Sequence, residues 1–147
     1  FNLFKFRSMV DGAESLKKEL LVYNERNDGP LFKMKNDPRI TPFGRFIRRF
    51  SIDELPQLLN VFLGQMSLVG PRPHEPEEVA RYETGYKRLL FIKPGITGLA
   101  QVSGRSDLNW QDEVKLDSYY LENWRPLLDL SIILKTPKAV FSKRHAA

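Results

Sequence analysis

Two adjacent carboxylates, Asp53 and Glu54, stand a few residues after an arginine pair, Arg48 and Arg49. A turn at this point would hold the acids beside the bases. The segment 33–49 contains six basic residues and one acid, so its net charge of +5 equals the formal charge of the whole chain. Because a concentrated basic segment attracts negative charge, we expect an anionic partner: phosphate, a nucleotide, nucleic acid or an acidic lipid surface.

The basic segment ends in a predicted amphipathic helix over residues 42–50. Thr41 is suited to cap this helix, and Pro42 is suited to its first position. Large apolar side chains share one face, namely Phe43, Phe46, Ile47 and Phe50, and the arginines project from the other. Such a helix either packs into a core or lies in a bilayer interface with its arginines near lipid phosphates. The pattern leaves both open, and the size of the apolar side chains slightly favours the membrane.

A second helix is predicted directly after the acidic pair. Residues 51–54 fit a capping box, with Ser51 as the N-cap and Glu54 as its partner. In the alternative frame Asp53 is the N-cap, and Pro56 then falls in the first turn, where its missing N–H costs nothing. Both frames place the acids at the positive end of a helix. The apolar positions of this helix are Leu55, Leu58, Leu59 and Phe62.

The rest of the chain is predicted to consist of helices separated by turns, with one short strand. Alternation over residues 1–9 predicts an edge strand. Helices are predicted over residues 11–27, 75–90, 109–124 and 129–143. Two prolines around Arg72 predict a rigid turn over residues 67–74. The glycine-rich segment 93–105 would let backbone amides approach a phosphate, but it lacks the residue order of a P-loop.

The composition is that of one folded domain of 147 residues, 41% of them hydrophobic. The absence of cysteine excludes disulfides and cysteine-based metal sites or nucleophiles, and the two histidines, His74 and His145, lie too far apart for a zinc site. No apolar run approaches the length of a spanning helix. The chain opens without methionine, which indicates a fragment (domain 1–147) and leaves open a targeting or membrane segment upstream.

Several motifs occur in an order that resembles one protein family. They are KFRSM at 5–9, DPRIT at 37–41, SIDELPQ at 51–57, MSLVGPRP at 66–73, KPGITG at 93–98, QVSGR at 101–105, LDSYY at 116–120 and ENW at 122–124. Together, from Lys5 to about Thr136, they resemble the bacterial sugar transferases, the monotopic phosphoglycosyl transferases. The resemblance implies an enzyme that moves a sugar-1-phosphate from a UDP-sugar to undecaprenyl phosphate and releases UMP, the first step of exopolysaccharide or other surface glycan synthesis.

The resemblance also implies a role for each of the charged residues. Asp53 would be the nucleophile that forms a covalent phosphosugar intermediate, and Glu54 would bind Mg²⁺. Lys5 and Arg48 match basic positions of the family's active site and would contact phosphate. The residues expected to bind substrate are Arg72 with its neighbours Pro71 and Pro73, which match the motif linked to the uridine nucleotide, together with Arg105 and Asp117.

The resemblance also implies an N-terminal membrane segment before Lys5, which is missing from this sequence. We therefore expect a mostly helical α+β domain with a short β element and membrane-interfacial amphipathic helices. It would lie at the cytoplasmic face of the bacterial inner membrane, without nucleic acid as a partner, and a homo-oligomer is left open. The segment GRSDL at 104–108 favours glucose or galactose as the sugar. The alternatives are a non-catalytic basic amphipathic module that binds anionic lipid, and a phosphatase-like hydrolase in which water replaces the lipid acceptor.

Overall fold

The protein is mostly helical, with one small parallel sheet, as a computed structural model shows. The structure describes residues 1–25, 28–29, 31–82, 84–104 and 107–142. The α-helices are α1 (Ala13–Leu20), α2 (Pro42–Arg49), α3 (Gln57–Phe62), α4 (Pro76–Val79), α5 (Leu99–Ser103), α6 (Trp110–Glu122) and α7 (Pro126–Phe141). The strands are β1 (Ser67–Val69) and β2 (Gly95–Thr97), and 3₁₀ turns cover Leu21–Tyr23, Ile52–Glu54 and Thr84–Phe91. The predicted fold class is confirmed.

The two strands run parallel, with Ser67 opposite Gly95 and Val69 opposite Thr97. A parallel pair requires a long crossover, which α4 and the last 3₁₀ turn supply here. Helix α7 packs against this pair, and it carries Ile132, which is 1% exposed in a core cluster with Val69 and Tyr120. A second cluster gathers Leu31, Tyr82, Leu89, Trp110 and Val114. The short β element of the fold is therefore this pair of strands, from the middle of the sequence.

The predicted strand over residues 1–9 is wrong. This segment forms no regular structure, and its only β contact with the described part of the chain is an isolated antiparallel bridge between Met9 and Ile40. Its backbone amides bond instead to the body of the protein: Phe4 N–H to the side chain of Asn60 (3.0 Å) and Phe6 N–H to the carbonyl of Asp53 (3.0 Å). Apolar and basic side chains therefore alternate along this segment, but its backbone bonds to a side chain and to a turn instead of to a neighbouring strand.

Three predicted helices have different bounds. The helix over 11–27 ends at Leu20 and continues as the 3₁₀ turn Leu21–Tyr23. The helix over 75–90 is broken into α4 and the turn Thr84–Phe91. Between them Tyr82 is buried and packs edge-on against Trp110, with 5.0 Å between ring centroids. The helix predicted over 129–143 begins earlier, at Pro126.

The helix predicted over 42–50 is confirmed, and Thr41 caps it by accepting the Gly44 N–H at 2.9 Å. Neither capping frame for the second helix is right. Ser51 has a positive φ of 54° and makes no side-chain cap, Asp53 lies within the 3₁₀ turn Ile52–Glu54, and α3 begins only after Pro56. Among the described residues, no helix is both long enough and apolar enough to cross a membrane.

Candidate active site

The acidic pair lies in the tight 3₁₀ turn that follows α2. The Ser51 N–H bonds to the Arg48 carbonyl at 3.0 Å, and the left-handed backbone of Ser51 then turns the chain back against the helix. As a result the Asp53 residue is only 6% exposed, whereas the side chain of its neighbour Glu54 remains 32% exposed. Two adjacent carboxylates are thus held in different environments.

The N-terminal segment brings a cation to this pair. Lys5 Nζ lies 3.2 Å from Glu54 Oε1, and the next residue, Phe6, bonds through its amide to the Asp53 carbonyl. The Lys5 side chain is 37% exposed, so solvent screens the ion pair and its contribution to stability is small. The importance of this contact is that it positions the positive charge of Lys5 beside the acidic pair.

Arg48 supplies a second cation from α2. Its Nε donates to the Ser8 hydroxyl at 2.8 Å, which fixes the guanidinium beside the N-terminal segment. Burial lowers the pKa of Arg48, and the negative charge of Asp53 opposes this effect. Since an arginine in a protein stays protonated even after a lowered pKa, the site holds a fixed positive charge next to the buried carboxylate.

The pKa of Asp53 is raised, first by burial and then by the neighbouring charge of Glu54, while Lys5 and Arg48 pull it down. A carboxylate in such a setting is poorly solvated, because little water reaches it, yet cations still favour its ionised form. Perturbation of this kind is common at catalytic carboxyl groups. The arrangement is suited to nucleophilic attack on an electrophile that carries negative charge itself.

Arg72 lies in a rigid turn close to this site. Its neighbour Pro71 is buried and accepts a hydrogen bond from the Gly95 N–H at 2.8 Å, which ties the turn to β2. The Arg72 side chain is exposed, and its charge lies near enough to contribute to the lowered pKa of Arg48. Pro73 follows as a half-buried residue. Two stiff neighbours therefore flank one exposed arginine whose charge reaches Arg48.

Asp117 belongs to a different set of neighbours. It is buried on α6 (5% exposed), and burial, followed by the charge of Glu113, raises its pKa to about 7. Its Oδ1 has no hydrogen-bond partner among the described residues. Its charge and that of Arg72 both act on Tyr82. Asp117 is not among the charges that shift the pKa of Asp53, so the structure does not link it directly to the acidic pair within the described residues. The other predicted substrate contact, Arg105, lies outside the described residues.

The structure therefore brings together four predicted residues, Lys5, Arg48, Asp53 and Glu54, and places Arg72 nearby. Their roles stay predictions. Within the described part of the chain, no group of three or more acids or histidines could enclose a metal ion. The sequence interpretation missed Ser8, which orients Arg48. The one feature of the sequence that could have pointed to Ser8 is its position three residues after Lys5, in the same short motif.

Comparison with known proteins identifies relatives over nearly the whole chain. The family model for bacterial sugar transferases matches residues 1–143. The galactosyl transferase CpsE of Streptococcus agalactiae is 52% identical over 141 residues, which are 95% of this chain and 31% of that protein. The undecaprenyl-phosphate galactose phosphotransferase of Salmonella typhimurium is 49% identical, over 99% of this chain and 31% of that protein. The exopolysaccharide production protein ExoY of Sinorhizobium fredii is 40% identical, over 98% and 65%. The chain spans about a third of the length of the first two relatives.

Proposed function

Because this chain belongs to the bacterial sugar transferase family, we propose that it transfers a sugar-1-phosphate from a UDP-sugar to undecaprenyl phosphate and releases UMP. This reaction would begin the synthesis of exopolysaccharide or another surface glycan. The observation that carries the proposal is the buried carboxylate of Asp53, which lies next to Glu54 and within the influence of Lys5 and Arg48. Relatives whose names include undecaprenyl-phosphate galactose phosphotransferase and galactosyl transferase support this class of substrate.

In the proposed first step, a carboxylate oxygen of Asp53 attacks the β-phosphorus of the UDP-sugar. The bond between that phosphorus and the bridging oxygen breaks, UMP leaves with the electron pair, and the sugar phosphate stays bonded to Asp53. In the second step, a phosphate oxygen of undecaprenyl phosphate attacks the same phosphorus and frees the carboxylate. Covalent catalysis by a carboxylate lets one site serve two acceptors in turn.

Lys5, Arg48 and Arg72 would offset the repulsion between this carboxylate and an anionic substrate. Phosphoryl transfer depends largely on positioning and on stabilising charge around the phosphorus. Arg48 is held by Ser8, so its guanidinium is oriented before substrate arrives, whereas for Arg72 the two prolines restrict only the backbone. We assign Arg72, with Pro71 and Pro73, to the nucleotide side of the substrate, and Asp117 and Arg105 to substrate binding.

Mg²⁺ fits the donor set of this site. The ion prefers oxygen ligands and is commonly bound by one or two carboxylates together with substrate phosphates. Glu54 contacts Lys5 through Oε1 at 3.2 Å and lies beside a second carboxylate, Asp53. Glu54 would hold the ion, and bound Mg²⁺ would neutralise negative charge on the diphosphate and on departing UMP.

The exposed apolar side chains support a location at the membrane surface. The burial pattern of helix α3 is the reverse of that of an ordinary surface helix. Its polar residues Gln57 and Asn60 are buried, whereas its apolar residues Leu58, Leu59 and Phe62 are 50%, 57% and 89% exposed. Helix α2 divides its apolar face, with Ile47 in the core and two exposed phenylalanines, Phe43 and Phe46. Contiguous apolar surface of this kind marks membrane or protein contact. We propose the cytoplasmic face of the inner membrane.

The test is UMP release from UDP-galactose and UDP-glucose, with and without undecaprenyl phosphate. We expect release coupled to formation of the lipid product, and loss of both product and trapped phosphosugar in Asp53→Asn. Asp112→Asn, which removes an exposed carboxylate from α6, is the matched control and should keep full activity. Full activity in Asp53→Asn would exclude Asp53 as the nucleophile.

A second candidate is a module that only binds anionic lipid, and it is favoured by one observation. Arg45 and Arg49 are exposed on the same helix as the two exposed phenylalanines of α2. This candidate predicts salt-sensitive binding to vesicles that contain phosphatidylglycerol, without UMP release from any UDP-sugar. The first proposed step alone can release one UMP per protein molecule without undecaprenyl phosphate. Repeated turnover of UMP release in its absence would instead indicate the hydrolase.

A further inference from the structure

The N-terminal segment, residues 2–8, is held against the protein by bonds from elements far away in sequence. Near the site, Ser8 meets Arg48 and the backbone of Thr41, and Phe6 meets the Asp53 carbonyl. At the other end, both Asn2 and Phe4 are bound by one side chain, that of Asn60 on α3. Lys5 therefore stands between two attachment points, at Phe4 and at Phe6.

Asn60 is completely buried (0% exposed), and its amide group is fully used. Oδ1 accepts the Phe4 N–H at 3.0 Å, while Nδ2 donates to the Asn2 carbonyl at 2.8 Å and to Gln65 Oε1 at 2.7 Å. The orientation of the amide follows from chemistry, because the Phe4 amide can only donate and so must face the oxygen. One buried side chain thus satisfies both a carbonyl and an amide of the segment.

We infer that Asn60 is a positioning residue that holds Lys5 on Glu54. The inference rests on the proposed function, since it concerns the same acidic pair. The attachment at Phe6 joins backbone to backbone, so no side chain can be removed to release it. The attachment at Phe4 depends on Asn60, and without it the peptide before Lys5 is free to leave α3. Lys5 would then lose its fixed distance of 3.2 Å from Glu54.

The first experiment compares Asn60→Ala with Gln65→Ala in the protein as the cell makes it, in membranes. Gln65→Ala removes one hydrogen bond of the Asn60 amide, whereas Asn60→Ala removes all three, including the two that hold the N-terminal segment. We expect Asn60→Ala to lower kcat/KM for UMP release by about 100-fold, as loss of positioning does. Gln65→Ala should retain activity near that of wild type. Equal activities of the two variants would overturn the inference.

A double-mutant cycle separates positioning of Lys5 from general damage. If Asn60 acts through Lys5, then adding Asn60→Ala to Lys5→Ala should change kcat/KM by no more than about twofold, the scatter seen for sites that do not interact. If Asn60 only supports the fold, its full effect will persist in the Lys5→Ala background, and the inference is wrong.

Amide hydrogen exchange provides a readout that does not need activity. In the wild type, the Phe4 amide should exchange slowly, and in Asn60→Ala it should exchange rapidly while the amides of α6 keep their protection. Should Asn60→Ala fail to fold, Asn60→Asp keeps the acceptor for Phe4 and loses the donor to Asn2. Because the Phe4 attachment then remains, kcat/KM should stay closer to that of Gln65→Ala than to that of Lys5→Ala. A fall to the Lys5→Ala level with the Phe4 amide still protected would contradict the inference.

Rapid exchange of the Phe4 amide in the wild type would refute the inference without any variant. Failure of the proposed function looks different from failure of this inference. An inactive wild type with a protected Phe4 amide would contradict the proposed reaction, whereas an active wild type with an active Asn60→Ala variant would contradict only the role of Asn60.

Discussion

Replacing Asp117 by asparagine should change how the stability of the protein depends on pH. Asp117 is buried on α6, its Oδ1 has no hydrogen-bond partner among the described residues, and its pKa is raised from 3.8 to about 7. The neutral acid is therefore the form that suits the folded protein. Asparagine has nearly the same shape and stays neutral at every pH.

The direction follows from proton binding in the two states. In the unfolded chain Asp117 loses its proton near the ordinary value of 3.8, whereas in the folded protein it keeps the proton up to about pH 7. The folded state thus binds more protons between these values, and the free energy of unfolding falls as pH rises through them. At 1.36 kcal/mol per pH unit, the total loss is about 4 kcal/mol. The Asp117→Asn variant does not lose this stability, because asparagine does not titrate.

The assay is urea-induced unfolding of wild type and Asp117→Asn at several pH values from about 4 to about 8. The variant should gain stability relative to wild type as pH rises, by about 4 kcal/mol over the window. Asp112→Asn removes an exposed carboxylate from the same helix and serves as the control for the lost charge. A difference between Asp117→Asn and wild type that stays constant with pH would refute the reasoning.

Three further predictions concern the acidic pair and the packing beneath it. Glu54→Gln should raise the Mg²⁺ concentration needed for half-maximal transfer by about tenfold, because a charged ligand becomes neutral; an unchanged titration would remove Glu54 as a ligand. Because burial and Glu54 raise the pKa of Asp53, transfer in a pH–rate profile should fall with acidification at a higher pH than an ordinary aspartate would give; a midpoint at or below the ordinary value would contradict this. Gly44→Ala should destabilise by about 1–3 kcal/mol in thermal unfolding, since a Cβ there would overlap the Ser8 carbonyl. Gly85→Ala, with open space around the position, should change stability by less than about 1 kcal/mol, and equal effects of the two substitutions would argue against close packing at Gly44.

Elements with strong local signals could be predicted from the sequence. Helix α2 follows from its apolar spacing together with Thr41 and Pro42, and all three features are confirmed. Helix α6 follows from its own periodicity, and Asn109 caps it by accepting the Asp112 N–H at 2.8 Å. In each case the residues that decide the structure lie within the element, so no knowledge of distant contacts is needed.

Elements whose structure depends on distant contacts could not be predicted in this way. The segment 1–9 alternates like a strand, but its partners are Asn60 and Asp53, about fifty residues away. Nothing in the local sequence of this segment indicates that its partners lie so far along the chain. Residues 67–69 were assigned to a turn because of the following prolines, yet they form β1, whose partner Gly95–Thr97 lies in a glycine-rich segment. Both strands also contact α7, which lies far along the chain, and the local sequence does not indicate that contact.

The acidic pair was found from residue types, but its environment required the fold. Adjacent acids after a basic helix indicate chemistry on an anion, and the motif resemblance names the reaction. Neither indicates that Asp53 is buried while Glu54 stays half-exposed, because that difference arises from the backbone turn at Ser51.

The inverted burial of α3 would let one short helix serve both the proposed membrane contact and the proposed site. Its leucines and Phe62 face outward, so a bilayer surface would cover them, and its Asn60 faces inward, so the N-terminal segment is bound on the opposite side. Any force that moves α3 relative to the bilayer therefore acts on Phe4 and then on Lys5. The position of the cation beside Glu54 should thus depend on how α3 lies at the membrane, and transfer measured in detergent should be more sensitive to substitutions at Asn60 than transfer measured in intact membranes.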